Sequence, residues 1–350
     1  MAKTILGVDI GSDSLKLALV SNGQVKKAAV AAIPNSLVKE YRVVSTETMG
    51  ELIRNTMKEN GIRCRQAAIV LANESVFVRS VTMPKMTIDQ LTYNLPFEFR
   101  DYITEELKDY IYDYAMITTP EEMAKEPPAP KPAEAEDMGD QEEEEQNNSM
   151  ELLAAAAPVK LIEECREMLR KAGLKMTKAA PTVCSYIALI RALEKRGGGK
   201  GEYCILDLGY QAIRMYMFKG EQHMVTRSLE TGLSTLDSVI ADSYNVDIHL
   251  AHTYLTTNYD DCQNGEPCRN AYGNIAVELM RALNFYRFSN PDSQLEDIWL
   301  CGGGAVIAPL REAIADTLDM KVHQARELVP GGDRLENCYE LAQAIGITMD

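Results

Sequence analysis

Positive charge is in short supply. The 350 residues carry 36 Lys plus Arg against 52 Asp plus Glu, for a formal charge of −16. A chain that coats nucleic acid or lies on an anionic bilayer needs cations to displace counterions from phosphates. Nucleic acid is therefore not an expected partner, and neither is a lipid surface. Long apolar runs are missing as well. Nothing approaches the roughly 18 consecutive apolar residues that span a bilayer, so no membrane insertion is expected. The only early apolar run is interrupted by Asp9, so no secretory leader is expected either. The eight cysteines are scattered and lack the paired spacing of a zinc site. Cys262 with Cys268, and His249 with His252, find no second pair at metal spacing. Scattered thiols in apolar stretches read as small buried hydrophobes of a cytosolic protein.

What is present is 46% hydrophobic residues, enough to bury real cores, on a length that predicts about two domains. The negative charge is concentrated. Residues 121–151 hold twelve carboxylates against Lys125 and Lys131, a balance of −10 that leaves −6 for the rest. That stretch has four prolines and no aromatic or β-branched side chain, so ordering it would bury too little apolar area to offset the entropy. It reads as a disordered acidic insert, either a plain solvated loop or an acidic docking segment.

Two stretches share one pattern. Thr4 to Asp9 is an apolar run closed by a carboxylate, followed by Gly11-Ser12-Asp13-Ser14, a second run from Leu15 to Val20, an Asn22-Gly23 turn and a third run from Val25 to Ile33. Tyr203 to Asp207 again ends in Asp, followed by Leu208-Gly209, a polar loop, Ile213 to Phe218, a turn at Gly220 and Met224 to Leu229. Each reads as strand, turn, strand, turn, strand. Their separation of about 198 residues predicts an internal duplication. Helical stripes fall at Met49, Leu52, Ile53 and Met57, and at Ile88, Leu91, Leu95 and Phe99, where Pro96 should kink the helix. Further strands are expected at 67–71, 76–81, 110–117, 152–157 and 298–300. Helices are expected from Pro158, at 183–193, 234–244, 248–256, 271–288 and 309–318. Strands alternating with helices indicate α/β architecture.

The repeated Asp-x-Gly turn carries the chemistry. A carboxylate at a strand's end, beside a glycine turn with exposed backbone N–H groups, can hold magnesium through water while the amides hold phosphates. Two such turns facing each other would clamp a nucleotide. Gly302-Gly303-Gly304 directly before a helix adds a third element, because glycine lets a ligand approach the backbone and a helix N-terminus favours negative charge.

The run Ile5-Leu6-Gly7-Val8-Asp9-Ile10-Gly11-Ser12-Asp13-Ser14-Leu15-Lys16 resembles the first phosphate motif of the actin, Hsp70 and sugar-kinase superfamily. Asp207-Leu208-Gly209 resembles the second, and Trp299 to Ala305 the adenosine motif. Within that superfamily the chain is similar to the PilM family of type IV pilus assembly proteins. The similarity lies in Gly11 to Lys16, in Met83-Pro84 to Phe99, in Leu283-Asn284-Phe285-Tyr286 and in Leu341 to Ile347.

The resemblance implies an actin-like α/β fold of two lobes with duplicated β-sheet cores and an inserted subdomain of the PilM/FtsA type. The implied division is a first-lobe core from 1–82, completed by 181–196 and a helix in 337–350, an inserted subdomain at 83–180 containing the acidic insert 120–150, and a second lobe at 200–336. It also implies ATP and Mg as ligands. Asp9 and Asp207 would organise the metal; Gly11, Ser12, Ser14, Lys16 and Gly209 would hold phosphates; Gly302, Gly303 and Gly304 would line the adenosine. The implied function is a cytoplasmic nucleotide-binding adaptor of a type IV pilus or related type II secretion platform. It would grip the cytoplasmic N-terminal tail of a PilN-like bitopic membrane protein in a groove between the first-lobe core and the inserted subdomain, and so couple it to the pilus motor ATPases at the inner face of the membrane.

Some residues depart from the superfamily pattern. The second loop reads Gly209-Tyr210-Gln211-Ala212-Ile213-Arg214, without Ser or Thr. Ala251-His252-Thr253-Tyr254-Leu255 lacks the acid and lysine usually offered to adenosine. Ala180 to Leu193 contains no carboxylate to serve as a general base. Nucleotide binding with slow or absent hydrolysis is the expectation. An FtsA-like division protein is the alternative, although the chain ends without the basic amphipathic helix of that family. A sugar kinase would need a cleft Asp and a sugar pocket that the sequence does not offer. The tyrosines Tyr102, Tyr110, Tyr112 and Tyr114, and the methionines Met49, Met57, Met83 and Met86, read first as packing residues.

Overall fold

The computed structural model describes residues 4–34, 36–117 and 149–349. They divide into two compact units, one formed by Asn73–Glu164 and one by the residues on either side of it. Most of the acidic insert lies outside the described residues. Its last positions do not belong to a disordered loop: Ser149 and Met150 open a strand, and Met150 is buried.

The larger unit begins with a meander of β1 (Thr4–Ile10), β2 (Ser14–Ser21) and β3 (Gln24–Ala32). Asn22 and Gly23 both have positive φ, as the two-residue turn between β2 and β3 requires. A two-stranded ladder follows, β4 (Val38–Lys39) with β5 (Arg42–Val43). Ser45 caps α1 (Thr46–Glu59) by accepting the Thr48 N–H at 3.2 Å, and Met49, Ile53 and Met57 form its buried face. Then β6 (Gln66–Leu71) runs parallel to β1.

The smaller unit is a three-stranded antiparallel sheet of β7 (Phe77–Pro84), β8 (Tyr110–Met116) and β9 (Ser149–Pro158), in the order β7-β9-β8. A Thr87–Gln90 capping box starts α2 (Ile88–Asn94). Pro96, which cannot donate within a helix, sits where α2 gives way to a 3-10 turn at Leu95–Phe99. Leu91, Leu95 and Phe99 pack on Val81, Met83, Met150 and Leu152, whereas Ile88 is exposed. Tyr110, Tyr112 and Tyr114 pack against this core as alternating strand residues, and the Phe99 and Tyr112 rings meet at 5.6 Å. The boundary between the units falls within α3 (Val159–Lys171).

Back in the larger unit, α1 lies so close to α3 that a Cβ on Gly50 would come 2.6 Å from Lys171 Cβ. Next, β10 (Lys175–Pro181) pairs in parallel with β6 and completes a sheet in the order β10-β6-β1-β2-β3. The sequence groups residues 165–180 with the insert. In the structure they pack in the larger unit, because β10 finds its partner in Gln66–Leu71 rather than nearby. After α4 (Thr182–Lys195) comes a second sheet: β11 (Glu202–Leu208), β12 (Ile213–Lys219), β13 (Gln222–Leu229), β14 (Asp297–Cys301) and β15 (Lys321–Gln324), ordered β13-β12-β11-β14-β15. Helices α5 (Leu233–Tyr244), α6 (Ile248–Thr257), α7 (Glu266–Ser289), α8 (Ala308–Leu318) and α9 (Ala325–Leu328) follow its strands, and α10 (Cys338–Gly346) closes the described chain.

The two sheets have the same topology. In each, an antiparallel meander is extended by two parallel strands on the side of its first strand. The correspondence reaches single residues. The register between β2 and β3 shifts at Leu19/Val20, and that between β12 and β13 shifts at Met217/Phe218, an offset of 198 positions that also separates Asp9 from Asp207. The expected duplication is present at the level of strand pairing.

Candidate nucleotide site

The first strands of both sheets end in an Asp-x-Gly turn. In the first, Asp9 stands opposite Lys16 in the β1–β2 ladder, and the Lys16 ammonium approaches Asp9 Oδ2 at 3.7 Å. The Gly11 N–H donates to Ser14 O at 3.0 Å and closes the turn. A Cβ on Gly11 would lie 2.6 Å from Lys16 Nζ, so the cation lies directly over the glycine. Burial raises the Asp9 carboxyl above its ordinary range; Lys16 opposes the shift, Asp207 adds to it and Arg214 works against it.

In the second turn, Asp207 stands opposite Arg214 in the β11–β12 ladder. Its Oδ2 accepts a hydrogen bond from Gln343 Nε2 at 2.8 Å, and the same amide donates to the Tyr186 hydroxyl at 3.0 Å. Burial, reinforced by Asp207, holds the Tyr186 phenol well above its usual range, so it stays neutral. Parallel pairing of β11 with β14 brings the end of β14 alongside, and Gly302 turns there at φ +85°. A Cβ at Gly302 would lie 2.6 Å from Asp207 Oδ1 and 2.8 Å from Leu208 N, so only glycine fits. Gly304 is equally close to Leu208, while Gly303 has ordinary space beside Leu233.

The bulky second loop is accommodated by its neighbours. The Gly209 and Tyr210 carbonyls accept the N–H groups of Leu233 and Ser234 at the start of α5, at 3.1 and 2.9 Å. Burial, reinforced by nearby Asp237, raises the Tyr210 phenol well above its usual range, and Asp237, a fully buried carboxylate, accepts from His252 Nδ1 at 2.9 Å. That hydrogen bond raises the His252 imidazole above its ordinary value. His252 thus serves a buried carboxylate, and neither charged residue expected on α6 for adenosine is there.

The last helix was not legible as part of a site. Tyr339 O accepts the Gly302 N–H at 2.8 Å, and Gln343 reaches Asp207. Glu340 is raised by burial and feels Lys16, Asp13 and Asp9. A Cβ on Gly7 would collide with Ala344 O, and one on Gly346 with Ser185 O, so α10 lies tight against β1 on one side and α4 on the other. Spacing alone could not reveal Gln343 or Glu340, whose partners are more than a hundred residues away.

The structure therefore brings Asp9, Gly11, Ser14, Lys16, Asp207, Gly209 and Gly302 to the matching ends of two sheets, with Ser12, Gly303 and Gly304 in the same loops. The chemistry of these residues fits a polyphosphate: Lys16 sets a cation over Gly11, and Gly11, Gly209 and Gly302 put no side chain on the turns. They also fit magnesium. Asp207 is close enough to Asp9 to add to the cost of ionising it, and a cation would offset that cost. Among the described residues no group of three or more His, Cys, Asp or Glu is placed to hold a metal ion. No helix among the described residues is long and apolar enough to cross a membrane.

The sequence matches the model of a family described as type IV pilus assembly protein PilM over residues 7–127 and 138–327. Among solved structures, the chain resembles one titled PilM-PilN type IV pilus biogenesis complex, at 23% identity and a TM-score of 0.77. That alignment covers 98% of this chain and 97% of the other. It also resembles the ethanolamine utilization protein EutJ from Carboxydothermus hydrogenoformans, at 16% identity and a TM-score of 0.58 over 99% and 89% of the two chains. The fold is the actin-like one.

Proposed function

Because the chain belongs to the type IV pilus assembly protein PilM family, we propose that it acts in pilus assembly as a cytoplasmic adaptor that binds a nucleotide and a membrane protein's tail. One observation carries the nucleotide half. Two Asp-x-Gly turns, related by duplication, meet with Gly302 at the matching ends of two sheets, and each carries a cation in register with its carboxylate. ATP with magnesium is the ligand this favours. Asp9 and Asp207 would hold the ion through water, the loops at Gly11 and Gly209 would receive the phosphates, and Gly302 to Gly304 would face the adenosine. Bound magnesium would neutralise phosphate charge. Lys16 supplies a fixed positive charge at the first loop, and Gln343 holds Asp207 in place.

Turnover is slow or absent in this proposal. The end of β10 and all of α4 up to Leu193 offer no carboxylate to orient water. Hydrolysis at rates on the order of 1 per second, ordinary for an enzyme, would overturn that part.

The partner half rests on family membership and on likeness to a chain whose structure is titled as a PilM-PilN complex. The proposed partner is the cytoplasmic N-terminal tail of a PilN-like membrane protein, which would bring the adaptor to the inner face of the membrane and to the pilus motor ATPases. The deciding experiment titrates the purified protein with a synthetic tail peptide, with and without ATP and magnesium. Binding in at least one state is expected, and its absence in both would end the adaptor reading.

A further inference from the structure

The second phosphate loop has no Ser or Thr, yet the duplication puts a cation there. Arg214 stands to Asp207 as Lys16 stands to Asp9, each directly across an antiparallel ladder and 198 positions apart. The parallel extends to the glycines. Lys16 Nζ lies 2.6 Å from where a Gly11 Cβ would be, and an Arg214 guanidinium nitrogen lies 3.6 Å from where a Gly209 Cβ would be. Each turn therefore has its own cation over its own glycine. Asp207 meanwhile takes a hydrogen bond from Gln343.

A second feature converges on the same guanidinium. The turn between β4 and β5 puts Glu40 and Tyr41 at φ +47° and +61°, a left-handed pair usually built from Asn and Gly. Side chains in that conformation are strained, and such strain persists where the surroundings hold it. What the turn presents is the Tyr41 ring, and the Arg214 guanidinium carbon lies 5.1 Å from its centroid. The aromatic face thus steadies the cation, and a guanidinium's planar fork matches two phosphate oxygens at once.

We propose that Arg214 is a phosphate-binding residue of this cleft, gripping the nucleoside triphosphate from the second lobe opposite Lys16, and that Tyr41 is its positioning residue. The inference rests on the nucleotide reading above and deepens it. The charge of Arg214 also reaches the Asp9 carboxyl across the cleft, in keeping with this placement.

The test measures ATP and AMP affinity of the full chain by calorimetry, alongside melting temperature, for wild type, Arg214→Ala, Arg214→Lys, Tyr41→Phe and Tyr41→Gly. Loss of a charge-assisted contact to phosphate should weaken ATP about 10- to 100-fold in Arg214→Ala and less in Arg214→Lys, with AMP nearly unchanged. Tyr41→Phe keeps the ring and should bind like wild type. Tyr41→Gly suits the turn, so it should melt no lower than wild type while binding ATP several-fold more weakly. A purely structural Tyr41 would instead lower melting temperature and affinity together. Unchanged ATP affinity in Arg214→Ala, or equal losses for ATP and AMP, overturns the inference and leaves the nucleotide reading standing. A wild-type protein that binds no ATP removes both.

Discussion

Gln343, on the last helix, donates to the Asp207 carboxylate at 2.8 Å, so the candidate metal carboxylate of the second sheet is held by an element that also packs on the first. Replacing Gln343 with Leu should cost about 1.5–3 kcal/mol, the range for a hydrogen bond to a charged group, read as a lower urea midpoint with far-UV dichroism unchanged. In Gln343→Glu two carboxylates would face each other and could not both ionise. Its deficit relative to wild type should shrink as pH falls and one of them takes a proton.

Gly302 and Gly173 have nearly equal φ, +85° and +81°, but different surroundings. A Cβ at Gly302 meets Asp207 and Leu208, whereas one at Gly173 meets nothing within 4 Å. Gly173→Ala should cost only the backbone strain of a left-handed residue, about 1–2 kcal/mol. Gly302→Ala should cost clearly more in thermal unfolding and also weaken ATP binding, an effect absent from Gly173→Ala. Equal costs would mean that the crowding at Gly302 relaxes without consequence.

Two histidines should give opposite pH responses. Burial pushes the His223 imidazole down to about 4, so between its ordinary value near 6.5 and about 4 the unfolded chain takes a proton that the fold refuses. Stability should drop by about 3 kcal/mol as pH falls through that window, and His223→Asn should flatten the drop. His252 is raised by Asp237, so its contribution is full below the ordinary histidine value and is lost as pH rises through the higher folded value. His252→Asn should remove that high-side loss. Denaturant midpoints between pH 4 and 8 separate the two.

Asp9 is buried, and its carboxyl is raised chiefly by that burial, so keeping it ionised costs the fold stability near neutral pH. Asp9→Asn should melt no lower than wild type without ligand, and higher if the Lys16 contact contributes little. The same variant should lose the dependence of ATP affinity on magnesium. A marked fall in melting temperature would mean instead that the Asp9–Lys16 pair holds the turn together.

Much of this was legible because the informative residues are local. Asp9, Gly11 and Lys16 lie within eight positions of one another, their counterparts repeat 198 positions later, and alternating apolar runs mark the strands between. Strands β10 and β15 gave no such signal. Their residues are mostly exposed or half-buried, and their hydrogen bonds go to strands distant in sequence or short themselves. Arg214 could be read only as a departure from a small-residue loop, because its place over Gly209 follows from ladder register. Gln343, Glu340 and Tyr186 belong to helices whose periodicity explains their apolar neighbours and says nothing of the polar groups they meet.

The close fit of α10 against β1 also bears on how the protein is made. Gly7, in the first strand, has no room for a side chain because Ala344 covers it, so a face of the first sheet waits for a helix some 340 residues further along the chain. During synthesis at roughly 5–20 residues per second, that apolar face would stay uncovered for tens of seconds, the interval in which nascent chains aggregate or recruit chaperones. Closing so distant a contact is also slow on topological grounds. The helix that packs on β1 and reaches Asp207 is therefore also the last element by which the first-made sheet becomes native.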